Sequence, residues 1–215
     1  MMNDLLSGSG LTIIINFECL ADYVSLLETR KMVDDFELEV HWLPLLKPGQ
    51  DNPPKLIEND TLSGYKARRA LAREKFAKEE LERNSVYMDI MVEQAGKEFD
   101  TTLVAQGLLW LNEVGVGAGD YWRYMDRVFG QVFRENRLVE TSPQIQNLLQ
   151  ETGIDVTGFA DFLDKNNLPE VQEMLLENGI FESPAIVYQG ERYIGRQHHP
   201  LLRWIFGGRK GTPPV

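Results

Sequence analysis

Cysteine is almost absent from this chain: Cys19 is the single one among 215 residues. One cysteine cannot form a disulfide within the chain, so no disulfide framework supports the fold and nothing indicates an oxidising compartment. The same count excludes a cycle in which a second internal thiol attacks a mixed disulfide. Any thiol chemistry of this protein therefore uses one sulfur.

Basic residues are also scarce, since 22 Lys and Arg face 33 Asp and Glu and give a net charge of -11. Binding to nucleic acid or to an anionic membrane surface needs clustered positive charge. We therefore expect neither nucleic acid nor membrane as a partner. The three histidines show no metal-ligand spacing, because His198 and His199 are adjacent and their side chains diverge. The sequence predicts no metal site.

Long apolar runs are missing as well. No stretch approaches the roughly 18 apolar residues that a membrane-spanning helix needs. The first ten residues have neither a basic segment nor a long apolar core, so we predict a disordered lead and a cytoplasmic location.

The first recognisable pattern is strand, helix and strand. The apolar, β-branched run from Leu11 to Phe17 predicts a buried strand. Leu20, Val24 and Leu27 fall on one face of a predicted helix over 20–34, and alternation from Phe36 to Trp42 predicts a half-buried strand.

After a proline-rich exit at 47–54, the sequence is predominantly helical in pattern up to Gly179. Predicted helices cover 63–82, 86–95, 100–115, 120–135, 143–151, 157–165 and 169–178. In the range 120–135, Tyr121, Met125, Val128, Phe129 and Val132 form an apolar stripe that we interpret as core. After Pro184, strands at 185–188 and 192–195 flank a short turn, and a last helix follows Pro200.

Cys19 lies where the first strand gives way to the first helix. The positive end of a helix favours a thiolate by roughly 0.3–1 kcal/mol. Glu18 and Asp22 oppose this with negative charge. Residues alone leave two interpretations open, a conditional nucleophile or a buried inert cysteine.

This order of elements resembles a thioredoxin fold with helices inserted in its middle. Asn16 to Tyr23, Glu39 to Pro44, Phe99 to Thr102 and Gly179 to Gly195 are similar to motifs of the DsbA-like thioredoxin superfamily. The similar branch contains 2-hydroxychromene-2-carboxylate isomerases, FrnE-type oxidoreductases and kappa-class glutathione transferases. The resemblance implies an α/β thioredoxin fold with a large helical domain between an N-terminal βαβ and a C-terminal ββα unit. The predicted divisions are 1–10 lead, 11–60 N-terminal half, 61–179 helical insertion, 180–208 C-terminal half and 209–215 tail.

The resemblance also implies a site. Cys19 would be the nucleophile in a Cys-x-x-Asp variant of the motif, with Asp22 and Tyr23 at the helix start. The Ser183–Pro184 peptide bond would be cis and would hold the backbone of a substrate or glutathione. Gln197 and His198 would be ligand contacts, although Gln197 replaces the acid that glutathione-using relatives carry. From the residues alone, His199 before Pro200 would cap the final helix, and His41 would point outward from its strand.

We expect an oxidoreductase that performs monothiol, glutathione-assisted thiol–disulfide chemistry through Cys19. Its partner would be a small thiol or small-molecule substrate, and the resemblance leaves a homodimer open. One alternative is a glutathione-dependent isomerase or transferase, in which residue 19 only orients the thiol of glutathione. Another is a redox-silent binding module that kept the fold.

Overall fold

The structure is a computed structural model that describes residues 6, 10–46, 71–72, 75–76, 79, 82–83, 100–135, 137, 139, 141–165 and 167–214. The predicted exit loop at 47–54 and the predicted helix at 86–95 lie outside these residues. Most of the predicted helix at 63–82 does so too.

A four-stranded mixed sheet joins the N-terminal and C-terminal segments of the described chain. Strand β1 (Leu11–Ile15) pairs in parallel with β2 (Val40–Pro44) and antiparallel with β3 (Ala185–Tyr188). Strand β3 also pairs antiparallel with β4 (Glu191–Ile194), which gives the order β2-β1-β3-β4. Every residue of β1 is buried, as its continuous apolar pattern predicts.

Helices surround the sheet and fill the sequence between β2 and β3. Helix α1 (Leu20–Asp35) joins β1 to β2, and α7 (His199–Phe206) follows β4. The described helices between β2 and β3 are α2 (Thr102–Val114), α3 (Ala118–Gly130), α4 (Ser142–Glu151), α5 (Phe159–Lys165) and α6 (Leu168–Glu177). A π-helical turn, Gln131–Glu135, extends α3. None of the helices among the described residues is both long enough and apolar enough to cross a membrane.

The two predicted N-terminal strands differ from the observed ones. The first ends at Ile15, because Asn16 Oδ1 accepts a hydrogen bond from Glu18 N at 2.8 Å and turns the chain. The second was predicted from Phe36 but begins at Val40. Glu37 has a φ of 49° in a turn that ends α1, so the alternating pattern starts before the strand does.

The predicted buried face of α1 is correct at Leu20 and Val24 and wrong at Leu27, whose side chain is 50% exposed. Helix α1 instead buries a side that includes Ser25 and Thr29, which are 2% and 3% exposed. Because those residues are polar, a hydrophobic pattern does not reveal that side.

Side-chain amides cover the outer edge of β2. Gln172 Nε2 donates to Pro44 O at 2.9 Å, and Gln172 Oε1 accepts from Leu46 N at 2.8 Å. Asn112 Nδ2 donates to Trp42 O at 2.7 Å. Helices α2 and α6 are therefore bonded directly to the backbone of the edge strand.

The C-terminal hairpin has a two-residue turn, shorter than the three-residue turn of the prediction. Gln189 and Gly190 have φ values of 52° and 77°, as a type I′ turn requires. Strand β4 consequently begins at Glu191 rather than Arg192. The predicted stripe of α3 and its extension is buried throughout.

Candidate functional site

Cys19 is the residue immediately before α1 and has an extended backbone, with φ -92° and ψ 112°. Its amide donates to Asn16 O at 3.0 Å, and its carbonyl accepts from the amides of Asp22 and Tyr23 at 3.0 and 3.3 Å. The residue is partly buried. The thiol is thus placed at the start of α1, just beyond the carboxyl end of the central strand β1.

Ser183 and Pro184 are brought to the same end of the sheet by strand pairing. Ile14 is opposite Ala185 in the antiparallel register, so the two preceding residues run beside the β1–α1 connection. The Ser183–Pro184 peptide bond is cis. Gly195 N donates to Pro184 O at 2.8 Å and continues the pairing of the hairpin to this point.

Asp22 connects these two parts of the chain. Its side chain is fully buried, and Ser183 Oγ donates to its Oδ2 at 2.8 Å across 161 positions of sequence. The Cys19 side chain is a close neighbour of the same carboxyl group. The second oxygen, Oδ1, is buried without an aligned hydrogen-bond donor among the described residues. Cys19, Asp22 and Ser183 therefore form one polar cluster.

Burial dominates the electrostatics of this cluster. It raises the pKa of the Cys19 thiol above its usual value, and the Asp22 carboxylate raises that pKa further through its charge and as a hydrogen-bond acceptor. Burial also raises the pKa of Asp22 from 3.8 to about 7, against the opposing effect of hydrogen bonds from Cys19, Ser183 and backbone amides. Near neutral pH the thiol holds its proton, and the carboxyl group is divided between its two protonation states.

Tyr23 lies in an aromatic stack beside this cluster. Its ring is parallel to that of Phe129 at 5.1 Å between centroids and near-parallel to that of Phe133 at 5.7 Å. The Arg134 guanidinium lies 5.7 Å from the centre of the Tyr23 ring. Tyr23 is 5% exposed, so its contacts attach α1 to α3 and the π turn.

Gln197 and His198 lie in a short 3-10 turn after β4. Their side chains contact residues of β4. Gln197 Nε2 donates to Ile194 O at 2.8 Å, and the His198 ring meets Tyr193 edge-on at 5.8 Å. The structure does not place either side chain against Cys19 or Asp22 by a hydrogen bond or ring contact among the described residues. Their role as ligand contacts stays a prediction.

The predicted capping role of His199 is wrong, because His198 occupies the cap position of α7. The His199 side chain is buried instead. Its Nδ1 lies 2.9 Å from Arg196 O, and its Nε2 lies 3.0 Å from Thr29 Oγ1 on α1. The ring thereby joins the last helix to the first.

Sequence reasoning also missed two features around the site. Thr101 is buried and donates through Oγ1 to Glu18 Oε1 at 3.3 Å, which places the start of α2 beside the residue before Cys19. The sequence signal that could have indicated this contact is the similarity of Phe99 to Thr102 to a motif of the superfamily. His41 is half-buried, and burial lowers its pKa. It lines a cavity of about 230 Å³ with Leu43 and residues of α2 and α6, which no sequence pattern reveals.

Potential metal ligands are dispersed. Across the part of the chain that the structure describes, no three His, Cys, Asp or Glu side chains are grouped closely enough to hold an ion. The polar cluster at Cys19 therefore offers a thiol, a carboxyl group and a hydroxyl for chemistry.

Comparison with known proteins identifies the fold. The sequence matches neither a protein family nor a curated protein. A 2-hydroxychromene-2-carboxylate isomerase structure matches 93% of this chain and 95% of its own, with a TM-score of 0.64 and 15% identity. A probable DsbA oxidoreductase from Streptomyces coelicolor matches 95% of this chain and 92% of its own, with a TM-score of 0.59 and 15% identity. The predicted thioredoxin fold with helices between β2 and β3 is confirmed.

Proposed function

We propose that this thioredoxin-fold protein exchanges thiols and disulfides through Cys19 alone, with an external thiol such as glutathione completing the cycle. The observation that supports this most is the hydrogen bond from Ser183 to Asp22. It brings the residue before the cis-proline to the cluster that contains the single thiol. Two separate segments of sequence thereby contribute to one polar site.

The proposed reaction has two steps. The Cys19 sulfur attacks one sulfur of a substrate disulfide, forming a mixed disulfide and releasing the other sulfur as a thiolate that takes up a proton. A thiol of the glutathione class then attacks the substrate sulfur of the mixed disulfide and regenerates Cys19. After these two steps at Cys19, the substrate sulfur is bound to glutathione in a mixed disulfide, and a second glutathione cleaves it to give the second substrate thiol and glutathione disulfide.

The position of Ser183 also indicates how a substrate or glutathione would bind. The backbone of Ser183 precedes β3, and we assign it the pairing of a substrate or glutathione backbone. The small-thiol partner is also consistent with the single cysteine, because no second thiol of the chain can release the mixed disulfide.

Intact-mass spectrometry tests this function. We expect incubation with glutathione disulfide to add one glutathione to the wild-type protein and none to Cys19→Ser. Reduced glutathione should then remove the adduct, and a small disulfide should be turned over in its presence. If the wild-type protein forms no adduct from pH 6 to pH 9, or if Cys19→Ser turns over the disulfide equally well, the proposal is wrong.

A second candidate is a glutathione-dependent isomerase or transferase. The raised pKa of the Cys19 thiol favours it, because a protonated residue 19 could donate a hydrogen bond to the thiolate of bound glutathione. Cys19→Ser separates the candidates, since a hydroxyl keeps the donor and loses the nucleophile. Glutathione-dependent isomerisation that survives this substitution would favour the second candidate, whereas loss of exchange favours the first.

A further inference from the structure

We propose that Asp22 is a catalytic residue whose carboxylate takes the thiol proton of Cys19 as the sulfur attacks, and returns that proton when the sulfur leaves the mixed disulfide. This inference rests on the exchange proposed above and assigns its proton transfers. Asp22 occupies the motif position where a dithiol protein has its second cysteine. Asp22 would then carry a proton at the position where a dithiol protein has the thiol that attacks the mixed disulfide.

The geometry of Asp22 supports a transfer rather than a structural role. Ser183 Oγ holds Oδ2 at 2.8 Å, whereas Oδ1 has no aligned donor among the described residues although it is fully buried. A buried acceptor without a partner costs free energy. Cys19 is the titratable neighbour of this carboxyl group, one helical turn before it. Ser183 occupies Oδ2, so we assign the thiol proton to Oδ1.

The surroundings of Asp22 contain few other charges. The described groups that act on it are the Cys19 thiol from the connection before α1, the Ser183 hydroxyl from the segment before β3 and the backbone amides of Asn16 and Asp22. Burial keeps this carboxyl group protonated to a higher pH than an exposed one. It can hold a proton under conditions in which an ordinary aspartate has none.

The proton balance applies to both steps. In the attack, Cys19-SH, the Asp22 carboxylate and a substrate disulfide give the mixed disulfide, the Asp22 carboxylic acid and a substrate thiolate. In the release, a thiolate attacks the substrate sulfur, the bond to Cys19 breaks, and the Asp22 proton moves to the departing Cys19 sulfur. A buried thiolate is a poor leaving group, so release benefits most from the acid.

The release step provides the test. The glutathione adduct of Cys19 is prepared and then released with an aromatic thiol that is ionised above pH 6, so the attacking thiol does not titrate. The regained unmodified mass is followed from pH 6 to pH 9. We expect wild-type release to slow as pH rises through about 7, where Asp22 loses its proton. Asp22→Asn should release at least tenfold more slowly at pH 6, with no inflection near neutral pH.

Two further variants sharpen this test. Asp164→Asn removes an exposed carboxylate of the same charge and should match the wild-type profile. Ser183→Ala removes the donor that favours the ionised form of Asp22, so its inflection should move to higher pH by roughly one pH unit. A merely structural Asp22 would not give a profile that moves with Ser183.

The outcomes distinguish a failure of this inference from a failure of the proposed function. If Asp22→Asn forms the adduct and releases it with the wild-type rate and profile, Asp22 is not the proton carrier, while exchange through Cys19 stands. If the Ser183→Ala inflection stays in place, the titrating group is not Asp22, and the inference is overturned. If wild-type protein forms no adduct, the proposed function and this inference both fail.

Discussion

Gly107 is a residue whose missing side chain sets the separation of two helices. It is buried in α2, and a Cβ at its position would collide with the Tyr124 hydroxyl of α3. That hydroxyl donates to Val104 O at 2.6 Å, and the Tyr124 side chain is fully buried. An added methyl group would therefore displace a hydrogen-bonded aromatic residue in a close-packed interior.

We predict that Gly107→Ala lowers the free energy of unfolding by about 1–3 kcal/mol, because overpacking outweighs the gain in helix propensity. Gly130→Ala is the matched control. A Cβ at this helical position of α3 meets nothing within 4 Å. It should be neutral or stabilising by up to ~1 kcal/mol. Urea unfolding of both variants measures the difference, and equal effects would contradict the packing account.

Residues of the site were predictable to different degrees. The junction of strand and helix identified Cys19, and the motif resemblance connected it with Ser183 and Pro184. The replacement of a second cysteine by Asp22 was visible in the sequence, but its complete burial and its bond to Ser183 were not. Burial depends on the packing of segments far apart in sequence, and this packing sets the pKa of Asp22.

Among the elements, the C-terminal end of the edge strand β2 is bonded to one side chain of α6. Gln172 accepts from Leu46 N and donates to Pro44 O, so its amide makes the two bonds that a neighbouring strand would make. This attaches α6 to the sheet at the end of β2 that is nearest to the Cys19 region, because β1 and β2 are parallel.

We predict that Gln172→Ala lowers the free energy of unfolding by about 1–3 kcal/mol, because two backbone groups lose their partner. Amide hydrogen exchange at Leu46 should accelerate in this variant. Gln150→Ala, at an exposed position of α4, is the control and should change stability by less than ~0.5 kcal/mol. Unchanged protection at Leu46 would show that this bond does not hold the strand edge.

Element types were easier to predict than element positions. Hydrophobic period and turn residues identified β1, α1 and the C-terminal hairpin, because these segments obey their local preferences. Strand β2 was displaced by several residues, since alternation began in the turn around Glu37. The π turn after α3 was predicted as ordinary helix, because its apolar spacing is also compatible with an α-helix.

On the scale of the whole molecule, the Cys19 cluster should make the stability of the fold depend on pH. Asp22 has a pKa of about 7 in the folded protein, against 3.8 for an exposed aspartate. The folded state therefore binds a proton that the unfolded chain releases between these values. The contribution of Asp22 to stability should therefore fall as pH rises from about 4 to about 7 and level off above that range.

We predict that Asp22→Asn removes this contribution, because the amide does not ionise. Relative to wild type, its free energy of unfolding should increase between pH 4 and pH 8 by a few kcal/mol, and by roughly 4 kcal/mol at most. Urea unfolding at both pH values measures this, with Asp164→Asn as the control for a lost surface charge. A difference that is the same at both pH values would show that Asp22 titrates normally.

The overall fold was the most predictable level. The order of strands and helices and the motif resemblance together specified a thioredoxin fold interrupted by helices, although the chain shares only 15% identity with the 2-hydroxychromene-2-carboxylate isomerase structure of the same fold. The cavity beside His41 was not predictable, since it forms where side chains of β2, α2, α5 and α6 leave space between them.

The two edge strands of the sheet also determine whether copies of this chain can associate by strand addition at high concentration. The backbone of β2 is occupied by amides from its own helices, and the outer strand β4 carries the exposed charges of Glu191 and Arg192. Strand addition from a second molecule would have to displace the amides on one side and desolvate charges on the other. Concentrated samples should therefore resist fibril growth through this sheet as long as α2 and α6 keep these bonds to the β2 backbone.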